Sequence, residues 1–305
     1  MGEIIKLNES DENDLCRGIS FYSFTEDFSE IRFQKKSRLS GKEIKIIVQA
    51  LAAGKDFAQE KIINVGLIRR VLEENPDVKM AVDGIKNYDE YTYKHSLNTA
   101  FYAMLIAKWL KFSEKQVKEI ICAGLLHDIG KLKIPLDVLN KKEKITDYEY
   151  GLIKNHTIYG FNLIRDMEGI NNSIRQAVLL HHERMDKSGY PFKSGLSDIN
   201  AYAKIIAVAD VYDAMCSDRV YKKRKSHFEA FRMFKNEGHE IFDAKILKVF
   251  LIRMPKFLIG MDVLLSDGEI GTICEISPDS PEYPLIKTSH GLIAAGVDAA
   301  VLKII

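Results

Sequence analysis

The chain has 305 residues, 46% of them apolar, enough to bury a full core in one main domain with room for an appendage. Lys plus Arg number 44 against 43 Asp plus Glu, so no net field draws the chain to a nucleic acid polymer or an anionic membrane surface. The four cysteines (Cys16, Cys122, Cys216 and Cys274) are far apart and show no CxxC spacing, which reads as reduced, cytoplasmic usage. No apolar run approaches the ~18 residues of a membrane span, since the stretch at 101–110 is cut by Lys108, and residues 1–6 lack the apolar core of a signal peptide.

Residues 1–40 carry Phe21, Tyr22, Phe24, Phe28, Ile31 and Phe33 without a clear period, which predicts a short strand or strap rather than a separate sensor domain. From Gly41 the helical period takes over, with one face marked by Ile44, Ile47, Val48 and Leu51. A second face is marked by Ile62, Val65, Ile68, Val71 and Leu72 before Asn75-Pro76 breaks the pattern. The next predicted helix, about 91–110, carries His95.

Ser113 with Gln116 forms a capping box that opens the helix delivering His127 and Asp128. Thr146 with Glu149 forms a second one, opening a helix expected to carry His156. A helix from Asn172 ends in His181-His182-Glu183, followed by a loop with Gly189-Tyr190-Pro191. A helix over about 198–216 places Asp210 among Ile205, Ile206, Val208, Ala209 and Val211. Two further helices, at about 226–237 and 244–253, precede a change of period at Pro255. Beyond it, Asp267-Gly268 between apolar runs is a hairpin signal. The fold class is therefore mainly α, with a small C-terminal antiparallel β appendage over 256–305.

The chemistry concentrates at His127-Asp128, which closes an apolar run three residues before Lys131. Neighbours on a helix point about 100° apart, so such a pair can bite one metal from two directions while the carboxylate bridges to a second. Imidazole nitrogen with carboxylate oxygen suits ions such as Fe, Mn or Zn. His95, His127, His156, His181 and His182 each sit on, or at the end of, a predicted helix. Asp210 lies in an apolar stretch with no basic residue within a turn, and an unpaired buried carboxylate is expensive. One such histidine alone is more often a satisfied core residue than a ligand. Two adjacent pairs on separate helices, with two more histidines, point to a metal site.

The ordered series His95, His127-Asp128-Ile129-Gly130-Lys131, His156, His181-His182-Glu183, Gly189-Tyr190-Pro191 and Asp210 resembles the HD-GYP branch of the HD metal-dependent phosphohydrolases. The runs 91–97 and 207–215 extend the match, which covers about residues 56–255. The resemblance implies an HD-type helical bundle over 56–255, with residues 1–55 as a strap and lead-in helix. It implies a phosphodiesterase that hydrolyses cyclic di-GMP to linear pGpG, to GMP or to both, through a hydroxide activated by two divalent ions, Fe or Mn. Carried over by position, one ion takes His95, His127, Asp128 and Asp210, and the other takes Asp128, His156, His181 and His182. Two ions ~3.5–4 Å apart can clamp a bridging hydroxide and the phosphate oxygens of an in-line displacement.

Lys131 follows Asp128 at a spacing that lets it reach phosphate as a point charge or assist the leaving oxygen, and Tyr190 is expected to line the pocket, while the match gives Arg219 and Lys222 contacts to phosphate or guanine. Two positions depart from the family pattern. Lys187 stands where the loop usually has Gly, at a cost of about 1–2 kcal/mol if that position needs positive φ. Tyr91 stands where some members carry a Glu that binds a third metal. The alternatives are a module that binds cyclic di-GMP without hydrolysis, and a phosphohydrolase of another linear or cyclic dinucleotide. Regulation is expected from a protein partner or through residues 1–40.

Overall fold

The computed structural model describes residues 58–193, 199–217, 225–296 and 299–304. The strap and first helix expected before residue 58 lie outside the described residues. Helices α1 (Ala58–Glu74) and α2 (Pro76–Tyr88) meet at Asn75, with Pro76 at the first turn of α2. Then come α3 (Glu90–Trp109), α4 (Glu114–Leu126), a 3-10 turn (Ile129–Lys133) and α5 (Leu136–Leu139). Helices α6 (Asp147–Lys154), α7 (His156–Ile164), α8 (Asn172–Leu180) and α9 (Ala201–Cys216) follow. Helices α10 (His227–Asn236), α11 (Gly238–Ile241) and α12 (Ala244–Arg253) complete the bundle, with a closing 3-10 turn (Met254–Leu258).

Helix α3 is the centre of the bundle. It is capped by Asp89, whose carboxylate accepts from the Thr92 amide at 2.8 Å, and is buried on almost all sides. That is why its sequence shows little amphipathic period. It packs against α4 and α9. A Cβ at Gly124 of α4 would lie 2.6 Å from the Ala100 Cα, so only glycine allows this crossing, which brings the end of α4 down beside His95.

Both capping boxes are present, at Ser113/Gln116 and Thr146/Glu149. Two helix ends differ from expectation, for a shared reason. Helix α6 stops at Lys154, so His156 heads a new helix instead of riding on the old one. Helix α4 stops at Leu126, so His127 caps it and Asp128 lies beyond, with φ −101° and ψ 7°. Adjacent helical directions therefore do not describe the His127-Asp128 pair. In both cases the imidazole Nδ1 donates to a carbonyl oxygen of the last turn (Gly124 O for His127, Ile153 O for His156).

The appendage is a five-stranded sheet of β1 (Asp262–Leu265), β2 (Ile270–Glu275), β3 (Leu285–Thr288), β4 (Gly291–Ala294) and β5 (Val301–Ile304), in the order β4-β3-β2-β1-β5. All its strand pairs are antiparallel. The Asp267-Gly268 hairpin forms as predicted, with Gly268 at φ +88°. Val263, Leu265, Ile273 and Ile286 extend the bundle's core into the sheet. Lys235 of α10 pairs with the buried Glu282 at 2.8 Å, and Arg232 lies over the Tyr283 ring. The sheet is thus fastened to α10 rather than tethered loosely. Among the described residues, no helix is long and apolar enough to cross a membrane.

Candidate metal centre

Four histidines meet in the interior with one arrangement in common. Each has its Nδ1 tied to an oxygen: His127 to Gly124 O at 2.8 Å, His156 to Ile153 O at 2.7 Å, His181 to Val178 O at 2.9 Å, and His95 to Asp213 Oδ2 at 2.7 Å. An oxygen of this kind accepts, so Nδ1 carries the proton and donates. The Nε2 atoms are left aimed at one another, at 3.3 Å between His95 and His127 and 3.3 Å between His156 and His181. Histidines that ligate metals are held in this way, by a bond from the other ring nitrogen that fixes tautomer and orientation.

Asp128 stands between the two pairs. Its Oδ2 is 3.3 Å from His127 Nε2 and 3.7 Å from His95 Nε2, and its Oδ1 is 3.2 Å from His156 Nε2. It is brought there by Gly130, where a Cβ would collide with the His156 carbonyl, so the 3-10 turn lies directly on α7. Two sets of donor atoms are each compact enough to hold an ion: His95, His127 and Asp128, and Asp128, His156, His181 and His182. Asp128 belongs to both. Asp210 adjoins them, with Oδ1 3.0 Å from His95 Nε2 and Oδ2 3.8 Å from His182 Nδ1. Asp128 Oδ1 is buried and has no hydrogen-bond donor. The donor set fits divalent ions.

The electrostatics follow from burial and charge. Burial pushes the His156 pKa down to about 4, against the pull of Asp128, and lowers that of His181 well below its ordinary value. Both rings are neutral at pH 7, the form that binds metal. Burial also disfavours the charged carboxylates, yet Lys131 and His127 hold Asp128 well below the usual range, and His95 and His182 do the same for Asp210. His95 is the exception among the rings. Burial would lower its pKa, but the hydrogen bonds and charges of Asp210 and Asp213 outweigh this and raise it to about 9.

The other expected residues divide. The Lys131 ammonium is bonded to Asp128 Oδ2 at 2.5 Å, inside the centre rather than on a solvated loop. The Tyr190 ring stacks on His182 with centroids 4.6 Å apart and meets His156 edge-on. Its loop is drawn in by Glu183, whose carboxylate accepts the Phe192 amide at 2.6 Å. Lys187 has φ +64°, so the position is left-handed and the lysine bears the expected strain. Tyr91 stacks parallel to His95 with ring centroids 6.0 Å apart. Arg219 and Lys222 lie outside the described residues. Asp213 was not among the expected site residues. Its signal was present, since it follows Asp210 by three on an otherwise apolar helix and shares its face.

A family model described as HD domain matches residues 79–246. The chain belongs to that family. The His181-His182-Glu183 and Gly189-Tyr190-Pro191 motifs mark its HD-GYP branch. The HD domain chain is 36% identical over 214 residues to a Pseudomonas aeruginosa protein named cyclic di-GMP phosphodiesterase, covering 70% of this chain and 51% of that one. It is 37% identical over 164 residues to a Thermotoga maritima protein of the same name, covering 53% of this chain and 45% of that one. A Vibrio cholerae protein named 3′3′-cGAMP-specific phosphodiesterase 3 is 31% identical over 153 residues, covering 50% of this chain and 33% of that one. The chain spans about half the length of the first two relatives.

Proposed function

We propose that this HD-GYP chain is a metal-dependent phosphodiesterase that hydrolyses cyclic di-GMP to pGpG, to GMP or to both. The observation that carries it is the pair of donor sets sharing Asp128, in one of which the neutral His156 and His181 rings turn bare Nε2 atoms towards each other. One ion would be held by His95, His127, Asp128 and Asp210, and the other by Asp128, His156, His181 and His182. Iron and manganese suit this mixture of imidazole and carboxylate. Two such ions supply an activated water near neutral pH and neutralise charge on the phosphate.

The chain's own residues do the rest. The carbonyl-bonded Nδ1 atoms keep His127, His156 and His181 in the tautomer that ligates. Lys131 offsets the charge of Asp128 and lies close enough to assist the phosphate or the leaving oxygen. Tyr190, backed by His182, offers a face for a nucleobase, with the exposed Phe192 two residues on in the same loop. Arg219 and Lys222 would grip phosphate or guanine. In this reading residues 56–255 are the catalytic unit and 256–305 an appendage to it, the protein works in the cytoplasm, and a partner regulates it.

Cyclic di-GMP is favoured by the names of the two more similar relatives, while the third names a different cyclic dinucleotide. Metal-loaded protein should therefore be incubated with cyclic di-GMP, 3′3′-cGAMP and linear pGpG, and the products separated by chromatography. Turnover of cyclic di-GMP above the others is the expected result. Preferred turnover of cGAMP would reassign the substrate, and tight binding without turnover would make the chain a receptor.

A further inference from the structure

His95 differs from the other three clustered rings in what supports it. His127, His156 and His181 each lie at a helix boundary and bond a carbonyl three residues back. His95 lies within α3, where the carbonyls are committed to the helix, and so needs an acceptor from elsewhere. The acceptor is a carboxylate, Asp213 Oδ2, 118 residues away in sequence. Asp210 and Asp213, three apart on α9, grip the two nitrogens of one ring at 3.0 and 2.7 Å.

Asp213 cannot itself be a ligand. One of its oxygens accepts from His95 Nδ1, and the other from Asn98 Nδ2 and from Ser217 Oγ, both at 2.9 Å. We infer that Asp213 is a positioning residue, whose negative charge on Nδ1 orients His95 and strengthens one of the two metal positions while leaving the other alone. The inference rests on the two-metal reading above. A carboxylate behind a ligating histidine raises its donor strength, and losing it typically costs ten- to a hundredfold in metal affinity. The other three rings have only neutral carbonyls behind them, so the effect belongs to the His95 side.

Asp213→Asn is the informative variant, because the surroundings can absorb it. The Asn98 Oδ1 is buried without a partner, so a flip of that amide lets it accept from the new Asn. The Ser217 hydroxyl turns to accept as well. Shape is kept and charge is lost.

Manganese would be titrated into metal-free protein in competition with a fluorescent chelator, alongside thermal melts of the metal-free forms. Two binding events are expected in the wild type. In Asp213→Asn one should weaken ten- to a hundredfold, once corrected for the proton that His95 releases on binding, with the other unmoved. In a His181→Ala background, where only the His95-side ion remains, Asp213→Asn should weaken that single event. Wild-type affinities, or equal weakening of both events with unchanged metal-free melting, would overturn the role. Should Asp213→Asn not fold, the wild type still decides. A downfield imidazole N–H proton assigned to His95 that survives loading with diamagnetic zinc supports the retained His95–Asp213 bond, and its loss on zinc loading overturns it. A wild type that binds no metal would refute the metal reading itself.

Discussion

His156 and His181 face each other with their Nε2 atoms 3.3 Å apart, while each Nδ1 donates to a backbone carbonyl, of Ile153 and Val178 respectively. With burial keeping both rings neutral, neither Nε2 carries a proton to share. Two lone pairs pointed at each other, out of water, are a standing cost to the fold that a cation between them removes.

Metal removal should therefore destabilise the protein. A ligand at a hundred times its Kd stabilises by about 2.7 kcal/mol per site, so a saturating metal should raise Tm by several degrees over chelated protein. Differential scanning calorimetry with manganese and with chelator checks this. Coincident transitions would contradict it.

Asp128 belongs to both donor sets, whereas His181 belongs to one. Asp128→Ala should empty both positions and abolish hydrolysis, and His181→Ala should mainly empty one. Elemental analysis of purified variants distinguishes the two. Full metal content in Asp128→Ala would end the bridging assignment.

The pH dependence of metal binding follows from His95. Its folded pKa is raised, so its ion pairs with Asp210 and Asp213 stabilise the metal-free fold fully below about pH 6.5 and are lost as pH rises through about 9. Its Nε2 must shed that proton to ligate, so binding at pH 7 releases a proton. Affinity on that side should rise roughly tenfold per pH unit between about 7 and 9. Calorimetry in buffers of different ionisation enthalpy counts the proton directly.

Lys187 occupies a left-handed position that glycine adopts freely. Lys187→Gly should relieve the strain at some cost in chain entropy, for a net gain of up to about 1 kcal/mol. Urea unfolding reads the difference, and a loss of stability would mean that the lysine side chain makes a compensating contact.

Arg219→Ala and Lys222→Ala should raise KM for cyclic di-GMP about ten- to a hundredfold, the worth of a charge-assisted phosphate contact of ~1.5–3 kcal/mol. Metal content should not change. Wild-type kinetics in both variants would show that neither residue touches the substrate.

Much of this protein was legible one residue at a time. Helix starts at Ser113 and Thr146 follow from side chains that satisfy amides three residues on, a contact made within a single turn. The Asp267-Gly268 hairpin is equally local, because Gly268 alone supplies its positive φ. The histidines and aspartates of the centre stood out by residue type, adjacency and order. Their support did not. Whether a histidine stays within a helix or caps its end depends on where its ring finds an acceptor, and this stopped α4 before His127 and α6 before His156. The pairing of Asp213 with His95 was decided by the bundle alone. The bonds from His95 to Asp210 and Asp213 span 115 and 118 residues, and exist only because α3, α4 and α9 pack closely enough to exclude water. Local propensity can set where a side chain leaves the backbone, but only tertiary packing brings two such side chains to within a hydrogen bond and removes the solvent that would otherwise satisfy them.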